Sequence, residues 1–209
     1  MNGYNGFFTK ERTRSLLVAL LLLGLSLVCQ YYASGYSTRS ATNYVGDFFL
    51  DHLPTINLNP IIIDGALFAI VFTLALIISK PKYLIFTLKA VALFIVIRSF
   101  FVSVTHLGIY PNQVVPNNGF WDQIYSALNL QAGYFFSAHT GLPILMALIL
   151  WEERFWRYLY LAASVLFGIS VLLAHVHYSI DVFAAPFMVY SIFHLARYLF
   201  AEDYKMISA

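Results

Sequence analysis

Six long apolar runs alternate with polar segments along the chain. The apolar runs cover about residues 15–33, 60–79, 84–106, 132–150, 158–174 and 178–200. An α-helix needs ~20 residues to cross the ~30 Å hydrocarbon core of a bilayer, and each run is close to that length. The pattern therefore predicts an all-α integral membrane protein that folds as a bundle of six transmembrane helices.

The polar ends of the chain fall outside this predicted bundle. We expect residues 1–14 to be an N-terminal tail, residues 15–200 a single six-helix domain and residues 201–209 a C-terminal tail. A basic start before an apolar run is also typical of a signal peptide. No clean small-x-small cleavage site follows the first run, so we expect it to stay as an uncleaved helix.

Composition agrees with a membrane location and excludes some functions. Hydrophobic residues make up 60% of the chain and charged residues 11%, whereas a soluble domain has about 25% charged residues. The net charge of +2 is too small to indicate nucleic-acid binding. Cys29 is the single cysteine, so the chain cannot form an intramolecular disulfide.

The basic residues predict how the bundle is oriented. Six helices would put both termini on one side, and nearly all the Lys and Arg of the loops and tails fall on that side. They are Lys10, Arg12, Arg14, Lys80, Lys82, Arg154, Arg157 and Lys205, whereas the opposite loops carry Arg39. Because Lys and Arg are retained in the cytoplasm, we expect both termini to be cytoplasmic.

A short stretch at residues 175–181, with the sequence HVHYSID, carries the strongest chemical signal. It lies in the turn between the fifth and sixth runs, on the predicted outer side. His177 and Asp181 are four residues apart and can contact each other on one helix face. A carboxylate that holds one ring nitrogen fixes the tautomer of a histidine and raises its basicity, as a nucleophile or general base needs.

A second polar stretch, SAHT at residues 137–140, puts His139 at the outer end of the fourth run. Two histidines and an aspartate at one depth suffice for nucleophilic catalysis with a separate acid or base. The alternative is that His139 hydrogen-bonds a neighbouring carbonyl. A polar run inside a span is costly unless it faces a cavity or a partner, which favours the functional interpretation.

Together these two stretches resemble the sphingomyelin synthase family. That family is a branch of the type 2 phosphatidic acid phosphatase-like superfamily of lipid phosphatases and phosphotransferases. The SAHT stretch is similar to the family's Ser-Gly-His-Thr motif, with Ala138 in place of Gly. Arg98 with the following Val104, Thr105 and Leu107 resembles a further family stretch, and residues 51–54 match a first-loop motif loosely.

The resemblance implies a six-helix fold, a non-cytoplasmic site and a role for each of three residues. His177 would attack phosphorus and form a phosphohistidine-type intermediate. Asp181 would orient His177 and stabilise its positive charge. His139 would protonate the leaving alcohol and then take the proton of the acceptor. Neither a metal nor a cofactor is implied.

One departure from the wider superfamily has chemical content. The phosphatases of the superfamily carry a Ser-Arg pair before the nucleophile, where this chain has Ser170 and Val171. Their Lys-x6-Arg-Pro motif is also absent, since Lys89 and Arg98 are nine residues apart. A phosphate monoester is nearly dianionic and benefits from several arginine clamps. A phosphodiester carries one negative charge and needs fewer, so the loss favours a diester donor.

Other residues are candidates for contacts with the substrate. Arg98 lies ~12 Å below the outer surface at 1.5 Å per residue and can extend its side chain to a phosphate, or it can pair with Asp64 or another acid. Asp64 lies one turn into the second helix, where a carboxylate is functional by default. The motif neighbours Ser137, Thr140 and Tyr178 complete this group.

Aromatic residues in the loop before the fourth run could bind a choline group, with Trp121 as the main candidate. Phe120, Trp121, Ile124, Tyr125 and Leu128 recur at helical spacing, which predicts a short interfacial helix. An ordinary aromatic belt, or a loop helix packed on the bundle, is the alternative.

These observations lead to one main functional hypothesis. We expect an enzyme of sphingolipid metabolism that transfers phosphocholine or phosphoethanolamine from a glycerophospholipid to ceramide or a diacylglycerol-type acceptor, on the periplasmic or lumenal face. The alternative is a lipid phosphatase or phospholipase C-like hydrolase with the same site. A metal site at these histidines and a non-catalytic membrane protein are further alternatives, and a homo-oligomer is compatible with the sequence.

Overall fold

The computed structural model of the protein describes residues 9–115, 120, 123 and 133–208, and within them every regular element is a helix. The all-helical class is therefore confirmed for this part of the chain. The helices are α1 (Lys10–Ser40), α2 (Pro60–Ser79), α3 (Pro81–Val104), α4 (Ala138–Ile149), α5 (Arg154–Leu173), α6 (Ser179–Leu199) and α7 (Ala201–Ser208).

Among these described helices, five are long and apolar enough to cross a membrane, namely α1, α2, α3, α5 and α6. The predicted fourth span differs from the expectation of a full span over residues 132–150. It appears as α4, which has 12 residues and is about 18 Å long at 1.5 Å per residue. Three of the residues just before α4 have positive φ angles, which a right-handed helix cannot contain.

Helix α1 is longer than its apolar run because polar residues continue it. The hydroxyl of Thr9 caps its start by accepting a hydrogen bond from the Arg12 amide at 3.3 Å. Near its end, Gln30, Ser34 and Ser37 are buried rather than exposed to a loop. These polar side chains pack toward α3, so the helix continues beyond residue 33, where the first apolar run ends.

Helix α3 lies at the centre of the bundle, packing along α1 and against α2, α4 and α6. Helix α4 lies between α5 and α6, and Gly141 permits its close approach to α3 and α6. A Cβ atom at Gly141 would lie 3.0 Å from the Phe94 ring and 3.1 Å from Val189. The short helix is therefore an inner element of the bundle, in contact with three of the spanning helices.

The outward faces of the long helices carry large apolar side chains. Leu21 is 62% exposed, Phe68 70% and Phe187 77%. Soluble proteins rarely expose contiguous apolar surface of this extent. The protein is therefore a multi-pass membrane protein in which these faces contact lipid.

The start of α1 and helix α7 meet at one end of the bundle. Lys89 in α3 donates hydrogen bonds to Asp203 Oδ2 at 2.6 Å and to the Ser15 hydroxyl at 2.7 Å, and Ser15 donates to Asp203 Oδ1 at 2.7 Å. Residues 201–208, predicted as part of a tail, thus form a docked helix. Asp181 lies 18 residues before the end of α6 at Leu199, or about 27 Å along the helix, so the candidate catalytic residues are at the opposite end.

Replacement of Lys89 by Met should destabilise the protein by about 3–5 kcal/mol, because the Asp203 carboxylate would stay buried without its cation. The two side chains of the pair are 9% and 10% exposed. Thermal unfolding in detergent micelles measures the effect. Lys205→Met is the control, since the Lys205–Glu202 pair is 69% and 84% exposed and should contribute less than about 1 kcal/mol. Equal losses in both variants would contradict the prediction.

Candidate active site

The turn between α5 and α6 brings the first candidate residues into position. His175 has a left-handed backbone with φ 55°, a region in which His is enriched relative to most residues. The amide of His175 donates to the Leu172 carbonyl at 3.0 Å, and the amide of Val176 donates to the Val171 carbonyl at 2.9 Å. These bonds end α5 abruptly and place His177 just before α6, with Asp181 in its first turn.

His177 and Asp181 form the contact that their spacing predicts. Nδ1 of His177 lies 3.0 Å from Oδ2 of Asp181, and both side chains are buried. An ionised carboxylate only accepts hydrogen bonds, so Nδ1 carries the proton and Nε2 keeps the lone pair. Nε2 is therefore the nitrogen that can act as a nucleophile.

His139 lies in the first turn of α4, whose start is capped by the Ser137 hydroxyl through a 3.4 Å bond from the Thr140 amide. The ring centroids of His139 and His177 are 5.9 Å apart. The two rings therefore lie at the same site.

Asp181 has a second set of partners in residues 133–137, here called the 133–137 loop. Its Oδ1 accepts a hydrogen bond from the Phe135 amide at 3.0 Å, and its backbone carbonyl accepts one from the Ser137 amide at 2.9 Å. The loop has positive φ at Gly133 (94°), Phe135 (81°) and Phe136 (21°). This backbone explains why α4 begins only at Ala138.

Arg98 is buried at 4% exposure and also contacts the 133–137 loop. Its Nε donates to the Phe136 carbonyl and its Nη2 to the Gly133 carbonyl, both at 3.2 Å, while Nη1 donates to Oε1 of Gln30 at 3.3 Å. Asp64, named as its alternative partner, is exposed at the end of the π-helical first turn of α2. The predicted contact of Arg98 with phosphate stays a prediction.

Among the other candidates for substrate contacts, Tyr178 has protein partners. It is 2% exposed, donates to the Gly108 carbonyl at 2.9 Å and accepts from the Val45 amide at 3.3 Å. It therefore ties two loops to the turn before α6. Thr140 is buried, and its carbonyl accepts a bond from Ser164 at 2.9 Å. Trp121 lies outside the described residues, as does most of the predicted interfacial helix.

His175 contacts the first loop and Tyr110. Its Nδ1 hydrogen-bonds with the Thr55 hydroxyl at 3.3 Å, and its ring lies edge-on to Tyr110 with 5.4 Å between centroids. Tyr110 in turn donates to Asp51, and this hydrogen bond raises the pKa of the Tyr110 phenol to about 12. Within the part of the chain that the structure describes, no group of three or more His, Cys, Asp or Glu is arranged to hold a metal ion.

Sequence reasoning missed Asp47, which holds the start of α6 from the first loop. Its Oδ2 accepts a 2.7 Å hydrogen bond from the Ser179 amide, and its Oδ1 accepts from the amides of Phe49 and Leu50 at 3.0 and 3.2 Å. An Asp that bonds the amide two residues ahead is a common turn signal. That signal could have predicted the local turn at Asp47. It could not have predicted the bond of Asp47 to Ser179, which lies 132 residues away.

Comparison with models of protein families, with curated proteins and with solved structures found no match.

Gly133→Ala should destabilise the protein by about 2–4 kcal/mol through backbone strain and overpacking. Gly133 has φ 94°, and a Cβ atom there would lie 2.3 Å from Cγ1 of Val102. Thermal unfolding in detergent reads out the change.

Gly24→Ala is the matched control, because no atom lies within 4 Å of a Cβ built at Gly24 inside α1. It should leave stability unchanged or raise it by about 0.5–1 kcal/mol, as in other helix interiors. The same unfolding temperature for both alanine variants would show that the 133–137 loop does not require glycine.

Proposed function

We propose that the protein is a membrane phosphotransferase. It moves a phosphocholine- or phosphoethanolamine-type headgroup from a glycerophospholipid to a lipid alcohol such as ceramide. The observation that carries the proposal is the arrangement of the three side chains named above. A carboxylate-held His177 faces a second histidine, His139, at a ring separation of 5.9 Å.

The first half-reaction uses His177 as the nucleophile. Its Nε2 lone pair attacks phosphorus, and the bond between phosphorus and the diacylglycerol oxygen breaks. The electron pair of that bond goes to the oxygen, which takes a proton from the protonated ring of His139. Asp181 stabilises the positive charge on the phosphorylated ring, as an orienting carboxylate does in other nucleophilic sites.

The second half-reaction reverses these roles. The neutral ring of His139 takes the proton of the acceptor hydroxyl as that oxygen attacks phosphorus. The bond between phosphorus and Nε2 breaks, and its electron pair returns to the His177 ring. Atoms and charges balance without a metal or a cofactor, and the products are a diacylglycerol and the new phospholipid.

The positions around the nucleophile favour a phosphodiester donor. Where the related phosphatases carry a Ser-Arg pair, this chain has Ser170, whose hydroxyl bonds the Leu166 carbonyl at 2.8 Å, and the fully buried Val171. Neither residue can supply a positive charge to a dianionic phosphate. The single negative charge of a phosphodiester needs fewer positively charged side chains than the two negative charges of phosphatidic acid.

The proposal includes an orientation in the membrane. Residues 15–200 would span it six times, and the fourth crossing would include α4. The basic residues cluster at the end where α1 begins and α7 docks, and such residues are retained in the cytoplasm. Both termini would then be cytoplasmic, and the histidine site would lie on the periplasmic or lumenal side.

The test is an assay of purified protein in mixed micelles. Phosphatidylcholine, phosphatidylethanolamine and phosphatidic acid with labelled headgroups are each offered with and without ceramide. We expect ceramide-dependent transfer of the label from a diester donor to a new lipid. His177→Ala should lower the rate at least about 10³-fold, as removal of other nucleophiles does.

His52→Ala is the matched control, because His52 is an exposed histidine of the first loop whose ring bonds the Phe48 carbonyl. It should keep the full rate. Release of water-soluble label with or without ceramide would show that the site hydrolyses the donor lipid and does not transfer its headgroup. Full activity of His177→Ala would refute both reactions.

A further inference from the structure

Arg98 connects three separate parts of the bundle. From its position in α3 it reaches Gln30 in α1 and two carbonyls of the 133–137 loop. Each of its three nitrogens donates to a protein acceptor, and the side chain is 4% exposed. The planar guanidinium group holds its N–H donors in a fixed geometry, so these bonds fix the loop carbonyls relative to one another.

The 133–137 loop has a backbone that needs such support. Phe135 and Phe136 have φ values of 81° and 21°, and bulky residues adopt left-handed conformations only where the surrounding structure imposes them. The carbonyls of Gly133 and Phe136 flank Phe135 and are both held by Arg98. The amide of Phe135 itself points to Asp181 at 3.0 Å.

Hydrogen bonds and the loop backbone between them therefore connect Arg98 to the nucleophile. Arg98 fixes the two carbonyls, and the fixed backbone directs the Phe135 amide to Oδ1 of Asp181. Oδ2 of the same carboxylate then holds Nδ1 of His177 at 3.0 Å. If the loop relaxed, Oδ1 would lose its donor and the buried carboxylate could rotate away from His177.

We propose that Arg98 is a positioning residue that aligns His177 through the 133–137 loop and Asp181. This differs from a contact of Arg98 with the phosphate of the substrate, which is what the sequence suggested. The effect on reaction rate rests on the proposed phosphotransferase function, whereas the effect on the loop does not.

The structural arm of the test is hydrogen–deuterium exchange of the full-length protein in detergent, followed by mass spectrometry of a peptide that covers residues 133–141. Arg98→Gln and Arg98→Lys should both increase exchange in this peptide and leave peptides from α5 unchanged. Lysine keeps the charge but cannot hold two carbonyls in a fixed plane. Normal protection in Arg98→Lys would overturn the proposal.

Two further variants serve as references. Ser103→Ala, five residues along α3, removes a hydroxyl that bonds the Ser99 carbonyl at 2.8 Å and should leave the peptide protected. Gln30→Leu removes the acceptor of Nη1 and should increase exchange in the same peptide by a smaller amount. This variant keeps the proposal testable if the Arg98 variants do not fold. Unchanged exchange of the 133–141 peptide in Gln30→Leu would then count against the proposal.

The kinetic arm separates positioning from phosphate binding. A misaligned nucleophile should lower kcat by up to about 100-fold with little change in the KM for the lipid donor, in Arg98→Lys as much as in Arg98→Gln. A phosphate ligand would raise KM, and lysine would restore much of the loss. That second result would overturn the proposal, while absence of any transfer in the unmodified protein would refute only the proposed function.

Discussion

The carboxylate of Asp181 is the group on which the candidate site depends. It is fully buried, and a buried charge is tolerated only when hydrogen bonds replace its hydration. One oxygen is bonded by the His177 ring and the other by the Phe135 amide. The charge also lies in the first turn of α6, where the helix dipole stabilises it.

The second of these bonds has consequences for the fold. To donate to Asp181, Phe135 takes a left-handed conformation, which a continuous helix cannot include. The fourth apolar run therefore cannot be helical along its whole length, and α4 is confined to Ala138–Ile149. The interruption places His139 in the first turn of α4, next to His177 rather than within a longer helix.

Irregular backbone leaves carbonyl groups without helical partners, and within a membrane such backbone persists only where protein covers it. Arg98 supplies donors to two such carbonyls. On the other side of the turn, the first loop and the segment after α3 cover the start of α6. Asp47 bonds the Ser179 amide, and Tyr178 bonds Gly108 and Val45. The site is thus held from three directions by groups far apart in sequence.

The sequence by itself determined the helical class, the positions of the long apolar helices and the His177–Asp181 contact. Each depends on local sequence. A run of ~20 apolar residues favours a helix that spans the membrane, and two residues four positions apart lie on the same face of a helix. Only the tertiary structure decided where α4 begins, that α7 docks through Lys89 and Asp203, and what Arg98 and Asp47 bond. These features depend on partners between 35 and 132 residues away, and local pattern carries no information about contacts at such separations.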